Sequence, residues 1–144
     1  MKKVNNKGFT LIELLAIIVI LAIIMVVTIP TVLSSIKNAR EESFKNAVAS
    51  IEKYAQDNYE LCIVGDTSIT GGFDTDIFQY NNGVCTFTTN ANTKVITKAG
   101  YSTADIDSIS LSLSNGDVVV GCAVPKANGK FNGVPSVGSS CPGE

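Results

Sequence analysis

From Phe9 to Ile29 the chain is apolar except for Glu13, Thr10 and Thr28. Twenty-one residues at about 1.5 Å each make a helix of roughly 31 Å, the thickness of a hydrocarbon core. Length and polarity thus predict a membrane-spanning helix. Lys2, Lys3 and Lys7 precede the run and no acid does. By the positive-inside rule the N-terminus stays cytoplasmic and the remainder faces outward.

Glu13 is the anomaly. A carboxylate in a spanning helix costs up to about 3 kcal/mol at its centre, less near the interface, and usually has a partner. On the sequence alone it has nothing to gain in a lone subunit. The tripeptide Lys7-Gly8-Phe9 indicates a partner, since a cut after Gly8 frees a positive α-amine on Phe9. Paired within one lipid-buried assembly, amine and carboxylate remove each other's desolvation cost.

Gly8-Phe9-Thr10-Leu11-Ile12-Glu13 resembles the class III signal of type IV pilins and pseudopilins, and Pro30 sits where those families place a proline. The resemblance implies that a prepilin peptidase cuts between Gly8 and Phe9 and methylates the Phe9 nitrogen. It implies further that Phe9, Glu13 and Pro30 serve filament assembly, Glu13 by meeting a neighbour's amine. Many pilins carry glycine where this chain has Ala22; alanine is the better helix former by about 1 kcal/mol, which argues against local melting before Pro30. A conventional secretory signal does not fit, because its apolar region is only about 7–15 residues and ends at a small-residue cleavage site.

The expected organisation is a leader (1–8), a membrane and filament-core helix (9–30), and an extracytoplasmic domain (31–144). In the chain's 144 residues there is room for one small globular unit beyond the span. The upper helix, 31–60, is amphipathic: Leu33, Ile36, Ala39, Phe44, Ala47, Val48, Ile51, Tyr54 and Ala55 recur at three- and four-residue steps. Pro30 lacks an N–H and predicts a bend, and the helix should end near Tyr59. Residues 61–83 read as loop, with one short element about Ile77, Phe78 and Tyr80. A β-sheet is expected over 84–124, with Val84–Thr88 and Lys94–Thr97 as β-formers. Ile109, Leu111 and Leu113 alternate with serines, Asn115-Gly116 makes a tight hairpin, and Val118–Val120, apolar on both faces, reads as a more central strand. Laid over the helical stripe, these strands give an α+β fold of the type IV pilin kind.

Cys62, Cys85, Cys122 and Cys141 lie on the outward side, where disulfides form. Four cysteines allow three connectivities. Cys62–Cys85 with Cys122–Cys141 is the expected set, because each bridge ties down an irregular stretch, the second being the loop 125–144. The second bridge would resemble the C-terminal disulfide loop common in type IV pilins.

Histidine is absent, which excludes Ser-His-Asp and Cys-His catalysis and imidazole–zinc sites; no enzyme is expected. Without residues 1–8 the chain has eight basic side chains against thirteen acidic, a formal charge of −5, so no nucleic-acid partner is expected. No cofactor is expected either. Major pseudopilins of type II secretion often hold calcium, and Asp66, Asp74, Asp76, Asp105, Asp107 and Asp117 could supply oxygens, but turns and helix starts are their ordinary place. The chain therefore reads as the structural subunit of a surface pilus, placed first in the cytoplasmic membrane and then in the filament. A pseudopilin of type II secretion or competence is the nearest alternative, and a single-span surface binding module a more distant one.

Overall fold

The computed structural model describes residues 8–65 and 72–141. Lys2, Lys3, Lys7, Asp66, the Thr70-Gly71 turn and Glu144 lie outside the described residues. The chain divides into two units, Met1–Ile36 and Lys37–Glu144. Helix α1 (Leu11–Val64) begins in the first and ends in the second.

Within the first unit every described side chain is exposed. The most apolar stretch of α1, mean hydropathy 3.2, has none of its residues buried, and by length and composition it is able to cross a membrane. The helix passes Ala22 and Pro30 without a break. Hydroxyls along it donate back to the chain: Thr28 to the Ile24 carbonyl at 2.9 Å, Thr31 to that of Val27 at 3.3 Å, and Ser35 to that of Thr31 at 3.0 Å. On a surface facing hydrocarbon such internal bonds spare the hydroxyls an unsatisfied proton.

In the second unit α1 buries Phe44, Ala47, Val48, Ile51, Ala55, Asn58 and Cys62, a stripe at helical spacing. It starts later than expected, since Leu33, Ile36 and Ala39 are all exposed. It also ends later. Cys62, four residues past Asn58, continues the buried face, so α1 runs beyond Tyr59 to Val64. Gly65 then closes it with a φ of +68° and an N–H to the Cys62 carbonyl at 3.0 Å, a left-handed ending that glycine adopts without a Cβ clash.

Strands β1 (Phe78–Asn81) and β2 (Val84–Phe87) form an antiparallel hairpin. Its two-residue turn has both members at positive φ, Asn82 at 49° and Gly83 at 83°, the primed geometry that matches strand twist. The expected loop 61–83 is therefore helical to Val64 and contains β1.

Lys94–Thr97 is not a strand. It lies in helix α2 (Ala91–Lys98), which buries Ala91, Val95 and Ile96. A helix places Ala91 and Val95 one above the other, four residues apart, and leaves Lys94 and Lys98 outside. That packing outweighs the weak β preference of Val95, Ile96 and Thr97.

Strands β3 (Ile106–Ser114) and β4 (Asp117–Pro125) pair antiparallel about Asn115-Gly116, as expected. Instead of one sheet over 84–124 there are two two-stranded sheets with α2 between them in sequence. On β3 the Leu111 N–H is taken by the Asn92 side chain of α2 at 3.1 Å, so the helix covers an edge that another strand would use. β4 is central only in part: beyond β3, its other edge meets the C-terminal tail. Ala123 and Val137 exchange hydrogen bonds at 2.7 and 2.9 Å, and Ser140 N–H reaches the Gly121 carbonyl at 2.9 Å. A Cβ at Gly138 would fall 2.3 Å from the Gly121 oxygen, so only glycine lets the tail lie so close.

The core joins α1, both hairpins, α2 and the tail through Phe44, Ile51, Ile77, Phe78, Val95, Ile106 and Phe131. The Phe44 and Phe131 rings meet at 5.1 Å. Two disulfides bound it. Cys62 in the last turn of α1 joins Cys85 on β2, and Cys122 on β4 joins Cys141 in the tail.

Candidate functional site

The start of α1 brings together Gly8, Phe9, Thr10 and Glu13. Gly8, Phe9 and Thr10 precede the helix and are exposed, Phe9 at 81%. The Leu14 N–H bonds the Thr10 carbonyl at 3.3 Å, which makes Thr10 the cap residue and Glu13 the third residue of the first turn. Their side chains close a reciprocal box. Thr10 N–H donates to Glu13 Oε2 at 2.8 Å, the Thr10 hydroxyl donates to the same oxygen at 2.8 Å, and Glu13 N–H reaches Thr10 Oγ1 at 3.4 Å. Two N–H groups left over at the helix start are thereby satisfied. The carboxylate also faces the positive end of the helix dipole.

This corrects one expectation. Glu13 does have something to gain in a lone subunit: it caps its own helix. The signal was present as Thr10-x-x-Glu13 ahead of an apolar run, but a reading centred on charge at the membrane passed over Thr10.

Gly8 stands apart from the other glycines just described. Among the described residues, a Cβ there would meet nothing within 4 Å. The described residues give no packing reason for glycine at that position. Pro30 lies far along α1, in no contact with this cluster by sequence position, and its role is not set by the cap.

A second polar cluster sits in the domain. Lys98 Nζ lies 3.1 Å from Asp74 Oδ2 and 3.0 Å from Asp76 Oδ2. Tyr54 donates to Asp74 Oδ2 at 3.2 Å, and the buried Asn58 accepts the Asp74 N–H at 2.8 Å while donating to the Tyr54 carbonyl. The Lys98 ammonium holds the Asp76 carboxyl below its ordinary range, and Asp76 with Asp74 raises Lys98 in turn. Burial first, then Asp74, pushes the Tyr54 phenol up. Asp107 is paired with Lys126 at 2.8 Å, and Asp105 accepts the Lys130 N–H at 2.9 Å. Among the described residues, then, four of the acids named as calcium candidates have protein partners. No three Cys, Asp or Glu side chains among the described residues gather as ligands.

The family comparison falls on the first of these two clusters. A model described as the prokaryotic N-terminal methylation motif matches residues 3–29. The chain carries the N-terminal methylation motif. It is the class III signal motif found in type IV pilins and pseudopilins. The methylation motif takes in the cap, Gly8, Phe9 and the whole apolar run to Ile29, and leaves the chain beyond residue 29 unmatched. No curated protein and no solved structure matches the chain.

Proposed function

We propose that this chain is the precursor of a structural subunit of a type IV pilus. A prepilin peptidase cuts it between Gly8 and Phe9 on the cytoplasmic face and methylates the new amine. The mature subunit waits in the cytoplasmic membrane as a single-pass protein, its domain outside, and polymerises through the lower half of α1. Glu13 of a resident subunit pairs with the Phe9 amine of an incoming one, and the filament ends up on the cell surface in adhesion or motility. No enzyme activity and no nucleic-acid partner enter this reading.

The observation that carries it is an exposed Gly8–Phe9 junction at the mouth of a capped, wholly uncovered apolar helix, inside the matched motif. An exposed segment outside the helix is what a protease needs. A glycine that no described neighbour requires is accounted for by an enzyme's need to approach the backbone closely. The apolar helix needs lipid before assembly and copies of itself after it. The tail disulfide favours a pilus over a pseudopilus, on the resemblance stated above.

Mass spectrometry of the mature N-terminus, from a host holding the peptidase, tests the reading. N-methyl-Phe9 is expected, and intact Met1 would leave a plain anchored binding module. Gly8→Val should remain uncut; if it is trimmed at the wild-type rate, the cleavage assignment is wrong. Long filaments recovered by shearing separate a pilus from the short pseudopilus of a secretion or competence system.

A further inference from the structure

We infer that the tail, residues 135–141, is a guard strand: locked by Cys122–Cys141, it occupies an edge of β4 that otherwise pairs with β4 of a second copy. The inference stands whether or not the chain forms filaments. Residues 118–124 read Val-Val-Val-Gly-Cys-Ala-Val, with no charge and no proline. Uncharged, β-forming stretches of this length are the ones that pair edge to edge between chains. β3 carries alternate serines, and its outer edge meets Asn92 of α2. The outer edge of β4 has the tail instead.

The groups that the tail occupies are those a further strand would use. Ala123 exchanges both of its main-chain bonds with Val137, at 2.7 and 2.9 Å, as directly opposed residues of antiparallel strands do. The register of β3 on β4 slips between Ser110 and Leu111, leaving Gly121 without a partner on β3. A slip of this kind leaves main-chain groups unpaired, and the Ser140 N–H takes up the Gly121 carbonyl at 2.9 Å.

By itself the tail is a poor strand, since Pro135 and Gly138 interrupt it and a single bridge, Ala123 to Val137, joins it to β4. A second β4 offers a longer run of β-formers to the same edge. The disulfide tips this contest, because it keeps the tail beside the edge at an effective concentration no free copy reaches. A second copy is the occupant because residues 118–124 suit themselves. Two such strands laid antiparallel bring no like charges opposite, and both present the same surface about a two-fold axis.

The test uses the full-length chain in detergent micelles, dilute and concentrated, and reads association by light scattering and amide exchange at Ala123. Association through the apolar part of α1 is common to all variants, so Ala123 reports on β4 alone. In the wild type Ala123 is protected at every concentration. In Cys122→Ser with Cys141→Ser, dilute, its exchange should quicken on the order of a hundredfold, the loop-closure advantage for a sequence separation of 19. Concentrated, the same variant should associate beyond the wild type and regain protection at Ala123. Adding Val119→Lys, a charge within the edge strand, should abolish both the extra association and the regained protection. Should the serine variant lose the native near-ultraviolet dichroism, Gly138→Val lifts the tail with the disulfide intact, since a side chain there runs into the Gly121 main chain; the same association with regained protection is then expected of it. Free exchange at Ala123 without extra association, in whichever variant is folded, overturns the pairing. Association that leaves Ala123 fast, or that Val119→Lys does not reverse, places the contact elsewhere and overturns it too. Wild-type protection in the dilute serine variant overturns the disulfide as the lock.

Discussion

Helix α1 has two halves with opposite relations to their own chain. In the first unit Leu15, Ile18, Leu21 and Met25 are all about half exposed or more, and no described side chain is buried. In the second, Phe44, Ile51 and Ala55 are fully buried under the chain's own strands, α2 and tail. Both halves keep their backbone hydrogen bonds inside the helix, so neither needs tertiary structure to satisfy its main chain. What differs is where the apolar surface goes. The upper half shows a stripe, because one side has a partner and the other has water. The lower half is apolar all round, as suits a helix whose neighbours are lipid or other helices.

The largest break in that comparison comes from shortening one side chain in each half. Phe44→Ala removes a fully buried ring that packs on Phe131 at 5.1 Å and should cost the domain about 3–5 kcal/mol. Leu21→Ala, at a position 47% exposed, should leave domain stability unchanged. Urea unfolding of the full chain in micelles, followed by near-ultraviolet dichroism of the domain, reads both. Equal losses would show that the two halves are not energetically separate.

A middle-sized effect is expected at the tail. Cys122→Ser with Cys141→Ser opens a loop with a sequence separation of 19, worth about 3 kcal/mol in the chain-entropy model. The damage should stay local. Amide exchange should quicken at Val137 and Ser140, whose N–H groups bond β4, while the Asn115-Gly116 hairpin remains protected. Loss of protection along β3 would mean that the bridge holds the whole domain.

The smallest expected effect, and the sharpest in pH, belongs to Lys98. Asp76 has its folded-state pKa lowered, so its stabilisation is present above the unfolded carboxylate value, about 4, and fades as pH falls through the folded one. Lys98 is raised, so its contribution is present below its unfolded value, about 10.4, and fades as pH climbs through the folded one. Tyr54, also raised, destabilises in the same alkaline window, where only the unfolded chain ionises freely. Lys98→Met should therefore lower the urea midpoint slightly at neutral pH and flatten both limbs. Because Lys98 and Asp76 are solvent-facing, added salt should mimic part of the substitution.

Much of the molecule was legible from residues alone wherever a local rule acts. The span follows from hydropathy and length, the motif from fixed positions at its mouth, and the β3–β4 hairpin from Asn115-Gly116. The Asn82-Gly83 hairpin and the Thr10–Glu13 box are equally local, and their signals stand in the chain. A glycine-rich loop beside the first and a charge near lipid beside the second mask those signals.

Other features required the tertiary structure. Val95 and Ile96 favour a strand by propensity, and only the pocket that takes Ala91, Val95 and Ile96 together makes them a helix. The helical spacing of Leu33 and Ile36 is as regular as that of Ala47 and Ile51, yet only the second pair is covered, because periodicity reports a face and not what lies over it. The division into two small sheets goes with the packing of α2 on β3, where Asn92 accepts the Leu111 N–H, a contact that no local pattern announces. Local rules operate over a turn or two of chain, whereas these outcomes depend on side chains far apart in sequence competing for the same buried space.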